Sequence, residues 1–186
     1  MGEFVEQSLE ELLPVYEQLE RVQLFKPNEV RQVIKRCRRY EYRLHKQTKR
    51  PDDFVNYAEY MTDLLRLIKR RRKAINYFHK TAEIDNTVRN KAEALYRRCT
   101  HRFQDRLDIW LKRLSFAKYA KMRLTASKIY SSLLKVHGGD PKLWQDAANW
   151  EFTVNRSAVN ARALLQQALR RFPQNRHLYL TLFDIE

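Results

Sequence analysis

Residues 143–173 read LWQDAANWEFTVNRSAVNARALLQQALRRFP, and this stretch decides the fold. Its first half holds Trp144 and Ala148, which are one helical turn apart, and its second half begins with the alanine- and leucine-rich segment at Ala161. Both halves have the period of amphipathic helices. Pro173 ends the second half, because proline lacks the amide hydrogen that would continue a helix. The stretch therefore predicts a pair of helices.

The same pattern recurs on both sides of this stretch. Trp110 begins a similar segment before it and Tyr179 begins one after it, so these two aromatic residues and Trp144 are 34 and 35 residues apart. The alanines that begin the second helices (Ala92, Ala126 and Ala161) have the same two spacings. A repeat of this length is typical of stacked helix pairs that bury one continuous core. The predicted repeat-core residues are Trp110, Phe116, Tyr130, Trp144, Ala148, Trp150, Ala161 and Ala168.

Glycine and proline are scarce, with 3 and 5 of the 186 residues. A β-sandwich or barrel needs turn residues roughly every 8–12 positions, so the composition excludes that class. It also excludes a glycine-rich phosphate loop. We therefore expect an all-α protein with an N-terminal helical domain over residues 1–80 and an α-solenoid over residues 81–186. Helices are predicted to begin at Pro27, Pro51 and Pro141, because proline suits the first turn of a helix.

The net charge is +15, from 37 Lys and Arg against 22 Asp and Glu. It is unevenly distributed, since residues 31–139 hold 29 basic and 10 acidic residues, a balance of 29 − 10 = +19. Such an excess predicts a surface that faces a polyanion, either RNA or an acidic protein segment. Basic residues are equally common on solvated helix faces, and that alternative stays open. The candidate polyanion-binding residues are Lys69, Arg70, Arg71, Arg72, Lys73, Lys112, Arg113, Lys118, Lys121, Arg123 and Lys128.

Catalytic and metal-binding patterns are missing from the sequence. The five histidines lie on separate predicted elements without an HExxH motif, and Cys37 and Cys99 fit no metal-ligand spacing. The serines lack the glycine elbow that exposes a nucleophile. No apolar run approaches the roughly 20 residues that span a bilayer. We predict no enzyme activity, no catalytic residue, no cofactor, no metal, no small-molecule substrate and no membrane partner.

The repeat resembles the half-a-TPR (HAT) repeat of RNA-processing proteins. In that pattern the first helix has Trp, a small residue, and then an aromatic residue followed by Glu, and the second helix is rich in Ala and Arg and ends in Pro. The matching residues are Trp144, Ala148, Trp150, Glu151, Ala161, Arg162, Ala168 and Pro173. The copy that begins at Trp110 is weaker, because no acidic residue follows Phe116.

The N-terminal region resembles the N-terminal domain of the U3 small nucleolar RNA-associated protein 6 family. The matching segments are LEELLPVYEQLERVQLF (9–25), YEYRLH (40–45) and DFVNYAEYMTDLLRLIKRRR (53–72). The resemblance implies a structural scaffold subunit of the small-subunit processome, the nucleolar assembly that processes the precursor of small-subunit (18S) ribosomal RNA. The implied partners are protein subunits of that assembly, including β-propeller proteins, together with the U3 snoRNP and precursor rRNA. Family members carry further HAT repeats, so the resemblance also implies truncation of the repeat region at Glu186.

Two alternative functions remain from the repeat pattern. Pentatricopeptide proteins, which bind RNA directly, also have basic helix pairs with a period near 35. They need polar side chains at fixed solvent-facing positions to contact bases, and the aligned anchors Trp110, Trp144 and Tyr179 disfavour such base recognition. The second alternative is a HAT-repeat adaptor in messenger-RNA splicing or 3′-end processing, which the N-terminal segments disfavour.

Overall fold

The computed structural model describes residues 2–79 and 81–186, with side chains from residue 5 onward. The helices are α1 (Gly2–Glu10), α2 (Leu13–Arg21), α3 (Pro27–Leu44), α4 (Pro51–Ile75), α5 (Thr81–Arg102), α6 (Leu107–Tyr119), α7 (Arg123–His137), α8 (Pro141–Thr153), α9 (Ala158–Arg171) and α10 (Arg176–Ile185). No strand is present within these two ranges. The prediction of an all-α protein is confirmed.

Proline marks the helix starts that the sequence predicts. Pro27, Pro51 and Pro141 are the first residues of α3, α4 and α8, where a missing amide hydrogen leaves no helical hydrogen bond unmade. Before the last of these, the Asp140 carboxylate accepts a hydrogen bond from the backbone N–H of Lys142 at 2.9 Å. This N-cap satisfies one of the amides that the helix itself leaves without a partner.

The chain divides into two compact units, residues 1–103 with α1–α5 and residues 104–186 with α6–α10. The sequence predicts a boundary after residue 80, which itself lies outside the described residues. That boundary separates sequence motifs, whereas the two units are defined by packing. It therefore stays a prediction.

In the first unit α4 packs along α5. The buried residues of α4 recur every three or four positions, as expected for one face of a helix. They include Phe54, Tyr57, Ala58, Met61, Leu65 and Ile68, each at most 2% exposed. The same face of α4 continues toward its C-terminal end, where the predicted basic run lies.

A buried ion pair connects three helices of the first unit. Glu41 of α3 is 1% exposed, and its Oε1 accepts a bond from Nζ of Lys91 in α5 at 2.8 Å and from Oγ of Ser8 in α1 at 2.7 Å. Burial alone would raise the pKa of Glu41, but the charge of Lys91 and the hydrogen bonds from Lys91 and Ser8 lower it below its ordinary value. One carboxylate thus holds α1, α3 and α5 together.

In the second unit consecutive helices pack against each other, α6 on α7, α8 on α9 and α9 on α10. Their apolar faces form one core. Small residues within it allow the helix backbones to approach closely, and larger side chains fill the space beside them. The fully buried alanines of this core are Ala117, Ala126, Ala147, Ala148, Ala161 and Ala168.

Trp110 and Trp144 occupy equivalent positions near the starts of α6 and α8. Both are buried, and the indole Nε1–H of each donates to the carbonyl oxygen six residues earlier, that of Gln104 (3.1 Å) and that of Gly138 (3.0 Å) respectively. Tyr179 aligns with them in sequence but is 51% exposed. Alignment with the two tryptophans therefore does not predict burial at this position.

The other predicted repeat-core residues lie inside the second unit. Trp150 is half-buried and packs at the edge of the core, with its ring centroid 6.3 Å from that of Tyr130. The rest are Phe116, Tyr130, Ala148, Ala161 and Ala168, each at most 4% exposed. Such burial is what stacked helix pairs require, while the assignment of these pairs to a HAT solenoid stays a prediction.

Replacement of Gly138 by Ala is expected to lower the free energy of unfolding by roughly 1–3 kcal/mol. A Cβ at this position would lie 2.2 Å from the backbone oxygen of Leu134 and 2.9 Å from Nη1 of Arg171. Gly139→Ala is the matched control, because a Cβ there would have no heavy atom within 4 Å. Denaturant unfolding measures both variants, and equal losses would contradict the packing described for Gly138.

Replacement of Glu41 by Gln is expected to lower the free energy of unfolding at pH 7 by about 3 kcal/mol, because Lys91 then stays buried without its counter-charge. The pKa of Glu41 is lowered in the folded chain. Its contribution is therefore complete above the ordinary carboxyl pKa of about 4.3 and is lost as the pH falls through the folded value. Below about pH 5 the unmodified chain should lose stability more steeply than the variant.

The control for this experiment is Glu6→Gln. Glu6 pairs with Arg38 at 3.3 Å, and both side chains are about half exposed. An exposed pair of this kind contributes at most about 1 kcal/mol. Parallel acid-unfolding curves for the unmodified chain and for Glu41→Gln would show that the buried carboxylate does not control the acid stability.

Candidate polyanion-binding surface

The predicted basic run from Lys69 to Lys73 lies on the last turns of α4. Lys69, Arg70 and Lys73 are exposed, whereas Arg71 is half-buried and Arg72 is 3% exposed. The run therefore divides into three residues that face solvent and two that face the rest of the first unit. Each of the two inward-facing arginines has an acidic partner.

Arg71 is held by the start of α3. Its Nη1 and Nη2 donate to the two carboxylate oxygens of Glu29 at 2.8 and 2.7 Å, and Nη1 also donates to the carbonyl oxygen of Leu24 at 3.0 Å. The guanidinium carbon lies 4.3 Å from the ring centroid of Phe25. The hydrogen bonds from Arg71 are the main cause that lowers the pKa of Glu29 to about 2. Both groups of this bidentate pair stay charged across the physiological range.

Arg72 is buried because it continues the apolar stripe of α4. It follows Leu65 and Ile68 at i+7 and i+4, which places all three residues on the same helical face. Its Nη1 donates to Oδ1 of Asp85 in α5 at 2.8 Å. The expectation that Arg72 faces a polyanion is therefore wrong, since the helical period turns this residue inward and Asp85 balances its charge.

The second group of candidates lies on α6 and α7 in the second unit. Arg113 is 9% exposed, and its guanidinium carbon lies 6.0 Å from the ring centroid of Trp110. Lys118 is exposed, but its Nζ lies 5.3 Å from the ring centroids of both Tyr130 and Trp150. These two cations are held by cation–π contacts with the repeat core. The remaining candidates of this group are exposed, namely Lys112, Lys121, Arg123 and Lys128.

The first unit also contains a concave basic site that was not predicted from the sequence. This basic cleft has a volume of about 380 Å³ and is lined by Lys49, Phe54, Arg97, Arg98, His101 and Arg102. It forms because the C-terminal end of α5 lies beside the N-terminal end of α4, where Sγ of Cys99 is 3.8 Å from the carbonyl oxygen of Pro51. The sequence signal was available as two short segments without acidic residues, KQTKR (46–50) and YRRCTHR (96–102). Linear spacing alone does not bring them together.

Other kinds of site find no support within residues 2–79 and 81–186. The described His, Cys, Asp and Glu side chains form no group of three or more that could hold a metal ion. None of the described helices is long and apolar enough to cross a membrane.

Replacement of Arg72 by Gln is expected to lower the free energy of unfolding by about 2–3 kcal/mol, because it leaves the carboxylate of Asp85 without its charged donor. Arg70→Gln is the matched control two residues away. Arg70 is exposed, so its replacement should change the unfolding free energy by no more than about 0.5 kcal/mol. Urea denaturation of both variants measures the difference, and similar small effects would contradict a structural role for Arg72.

Comparison with known proteins gives a consistent family. The family profile described as U3 small nucleolar RNA-associated protein 6 matches residues 9–96. The human protein named U3 small nucleolar RNA-associated protein 6 homolog is 36% identical over 186 residues, which is 100% of this chain and 31% of the human protein. The Schizosaccharomyces pombe protein named U3 small nucleolar RNA-associated protein 6 is 29% identical over 186 residues, and 38% of its length is covered.

A more distant relative extends the same result. The Dictyostelium discoideum protein named U3 small nucleolar RNA-associated protein 6 homolog is 25% identical over 182 residues, which cover 96% of this chain and 29% of that protein. The chain thus spans about a third of the length of the curated relatives it matches. The N-terminal segments and the repeat region both lie within the matched residues. The chain is similar along its whole length to proteins named U3 small nucleolar RNA-associated protein 6.

Proposed function

We propose that this chain acts in ribosome biogenesis, in the processing of the small-subunit (18S) ribosomal RNA precursor. The observation that carries the proposal is the sequence match over all 186 residues to the human relative, whose name associates it with U3 small nucleolar RNA. The site of action would be the nucleolus, within the small-subunit processome. The proposed partners are the protein subunits of that assembly, including β-propeller proteins, and the U3 snoRNP with its precursor rRNA.

The proposed role in that assembly is structural. The buried tryptophans and alanines of the second unit support a reading of α6–α10 as stacked HAT pairs, which hold a defined shape without a catalytic centre. Together with α5 these helices would make up the repeat solenoid over residues 81–186, after the N-terminal domain over residues 1–80. A stack of helices presents long side-chain surfaces, and such surfaces suit a scaffold that binds several proteins at once.

Affinity purification of the tagged chain from growing cells tests this function. We expect U3 small nucleolar RNA and 18S rRNA precursors to be enriched, while spliceosomal small nuclear RNAs stay at the level of an untagged control. Depletion of the protein should lower mature 18S rRNA relative to the large-subunit rRNA. Enrichment of spliceosomal RNAs without U3 RNA would contradict the proposal and favour the splicing alternative.

Trp144→Ala tests whether the repeat core is needed for this association. Loss of a buried tryptophan is expected to lower the free energy of unfolding by roughly 3–5 kcal/mol, because it removes packing and leaves a cavity. Tyr179→Ala is the matched control for stability, since that aromatic residue occupies the aligned position but is 51% exposed. Full recovery of U3 RNA with a Trp144→Ala chain that melts at a much lower temperature would count against a structural role of the repeats.

A further inference from the structure

The basic cleft of the first unit is a concave site with a strongly positive lining. Three arginines and one lysine line it together with a histidine, and no acidic residue does. Asp52 and Asp53 lie in the adjacent first turn of α4 but are not among the lining residues. The lining residues Lys49, Arg97, Arg98 and Arg102 therefore contribute a charge of +4 around a concave space of about 380 Å³.

The arginines are arranged in two rows on α5. Arg98 and Arg102 are one helical turn apart, as are Arg97 and His101, so each pair shares a face of the helix. Arg97, Arg98 and Arg102 are exposed. Guanidinium groups bind phosphate through two parallel hydrogen bonds, and several of them in a row match a ligand with repeated phosphates. A single small anion would leave most of this charge unused.

The burial of the Phe54 ring limits the kinds of ligand that the cleft can bind. Phe54 is 2% exposed, the guanidinium carbon of Arg98 lies 5.7 Å from its ring centroid, and the ring of Phe103 packs edge-on at 6.4 Å. The ring is thus unavailable for base stacking and provides no pocket for an apolar side chain. Protein partners are usually anchored by buried apolar or aromatic side chains, and the covered ring of Phe54 offers no exposed aromatic surface for such an anchor. A phosphate backbone needs no such anchor.

We propose that the basic cleft binds the phosphate backbone of single-stranded RNA through Lys49, Arg97, Arg98 and Arg102, without recognising the bases. The inference deepens the proposed function and rests on it for the identity of the RNA in the cell. Binding in vitro does not depend on that identity. Charge neutralisation at the cleft sets the affinity, so binding weakens steeply as salt is added.

The test is fluorescence anisotropy of the 186-residue chain with a labelled 15-nucleotide oligouridylate at several KCl concentrations. The variant Arg97→Gln/Arg98→Gln/Arg102→Gln should bind at least about tenfold more weakly at 100 mM salt, with a logarithmic salt slope smaller by about 2, or 0.7 for each lost phosphate contact. Oligoadenylate of the same length should bind within about threefold of oligouridylate, because no base is stacked.

The matched control removes three charges at the opposite end of α4, with Lys69→Gln/Arg70→Gln/Lys73→Gln. We expect its affinity to fall by less than about threefold, a long-range effect of charge. Equal losses of RNA affinity in the two triple variants would overturn the proposal that the cleft binds RNA. They would indicate diffuse electrostatic attraction instead. A larger loss of affinity in the control would instead place RNA on the basic run from Lys69 to Lys73. Competition by a 15-residue polyglutamate as strong as that by RNA would overturn the proposal in favour of an acidic protein segment.

A second variant keeps the test valid if the triple variant does not fold. Lys49→Gln/Arg102→Gln leaves Arg98 over the ring of Phe54, and circular dichroism checks that both cleft variants remain folded. It should still lower the salt slope by about 1.4, twice the value for one contact. A cleft variant that binds RNA as tightly as the unmodified chain would contradict RNA binding at the cleft. It would not contradict the proposed association with U3 RNA. Conversely, RNA binding by a chain that never recovers U3 RNA from cells would end the proposed function alone.

Discussion

The second unit depends on one hydrogen bond that occurs twice. The indole N–H of a tryptophan near the start of α6, and again of α8, donates to the carbonyl oxygen six residues earlier. In the second case that carbonyl belongs to Gly138, the C-cap of α7, so the bond joins the end of one helix to the start of the next. The ring can reach this position because the neighbouring helices meet at alanines. The loop carbonyl, the tryptophan that donates to it and the alanines beside the ring therefore depend on one another, and a change at one of them disturbs the other two.

The helices themselves could be predicted from the sequence because their signals are local. Prolines at residues 27, 51 and 141 mark helix starts, and a spacing of 34 and 35 residues finds the second-unit pairs. The exposure of Tyr179 could not be predicted by alignment, because burial depends on whether another helix covers the position. The inward turn of Arg72 was readable from its place on the stripe of Leu65 and Ile68, but the identity of its partner Asp85 was not.

Charge was harder to predict than packing, since a count of cations does not say how each one is used. Arg71, Arg72, Arg113 and Lys118 all belong to the run or group that the sequence assigns to a polyanion, yet each contacts an acid or an aromatic ring of its own unit. The basic cleft shows the opposite case. Its cations come from two segments that look unremarkable separately, and only the packing of α4 against α5 makes them one site.

The bond network around Glu41 has a consequence for how the chain is made. Lys91, whose Nζ donates to Oγ of Ser8, follows it by 83 residues. At a translation rate of about 5–20 residues per second, roughly 4 to 17 seconds separate the synthesis of these two residues. During that interval α1 and α3 exist without the cation that Glu41 needs for burial. The N-terminal helices can therefore complete this bond network only after α5 has been synthesised.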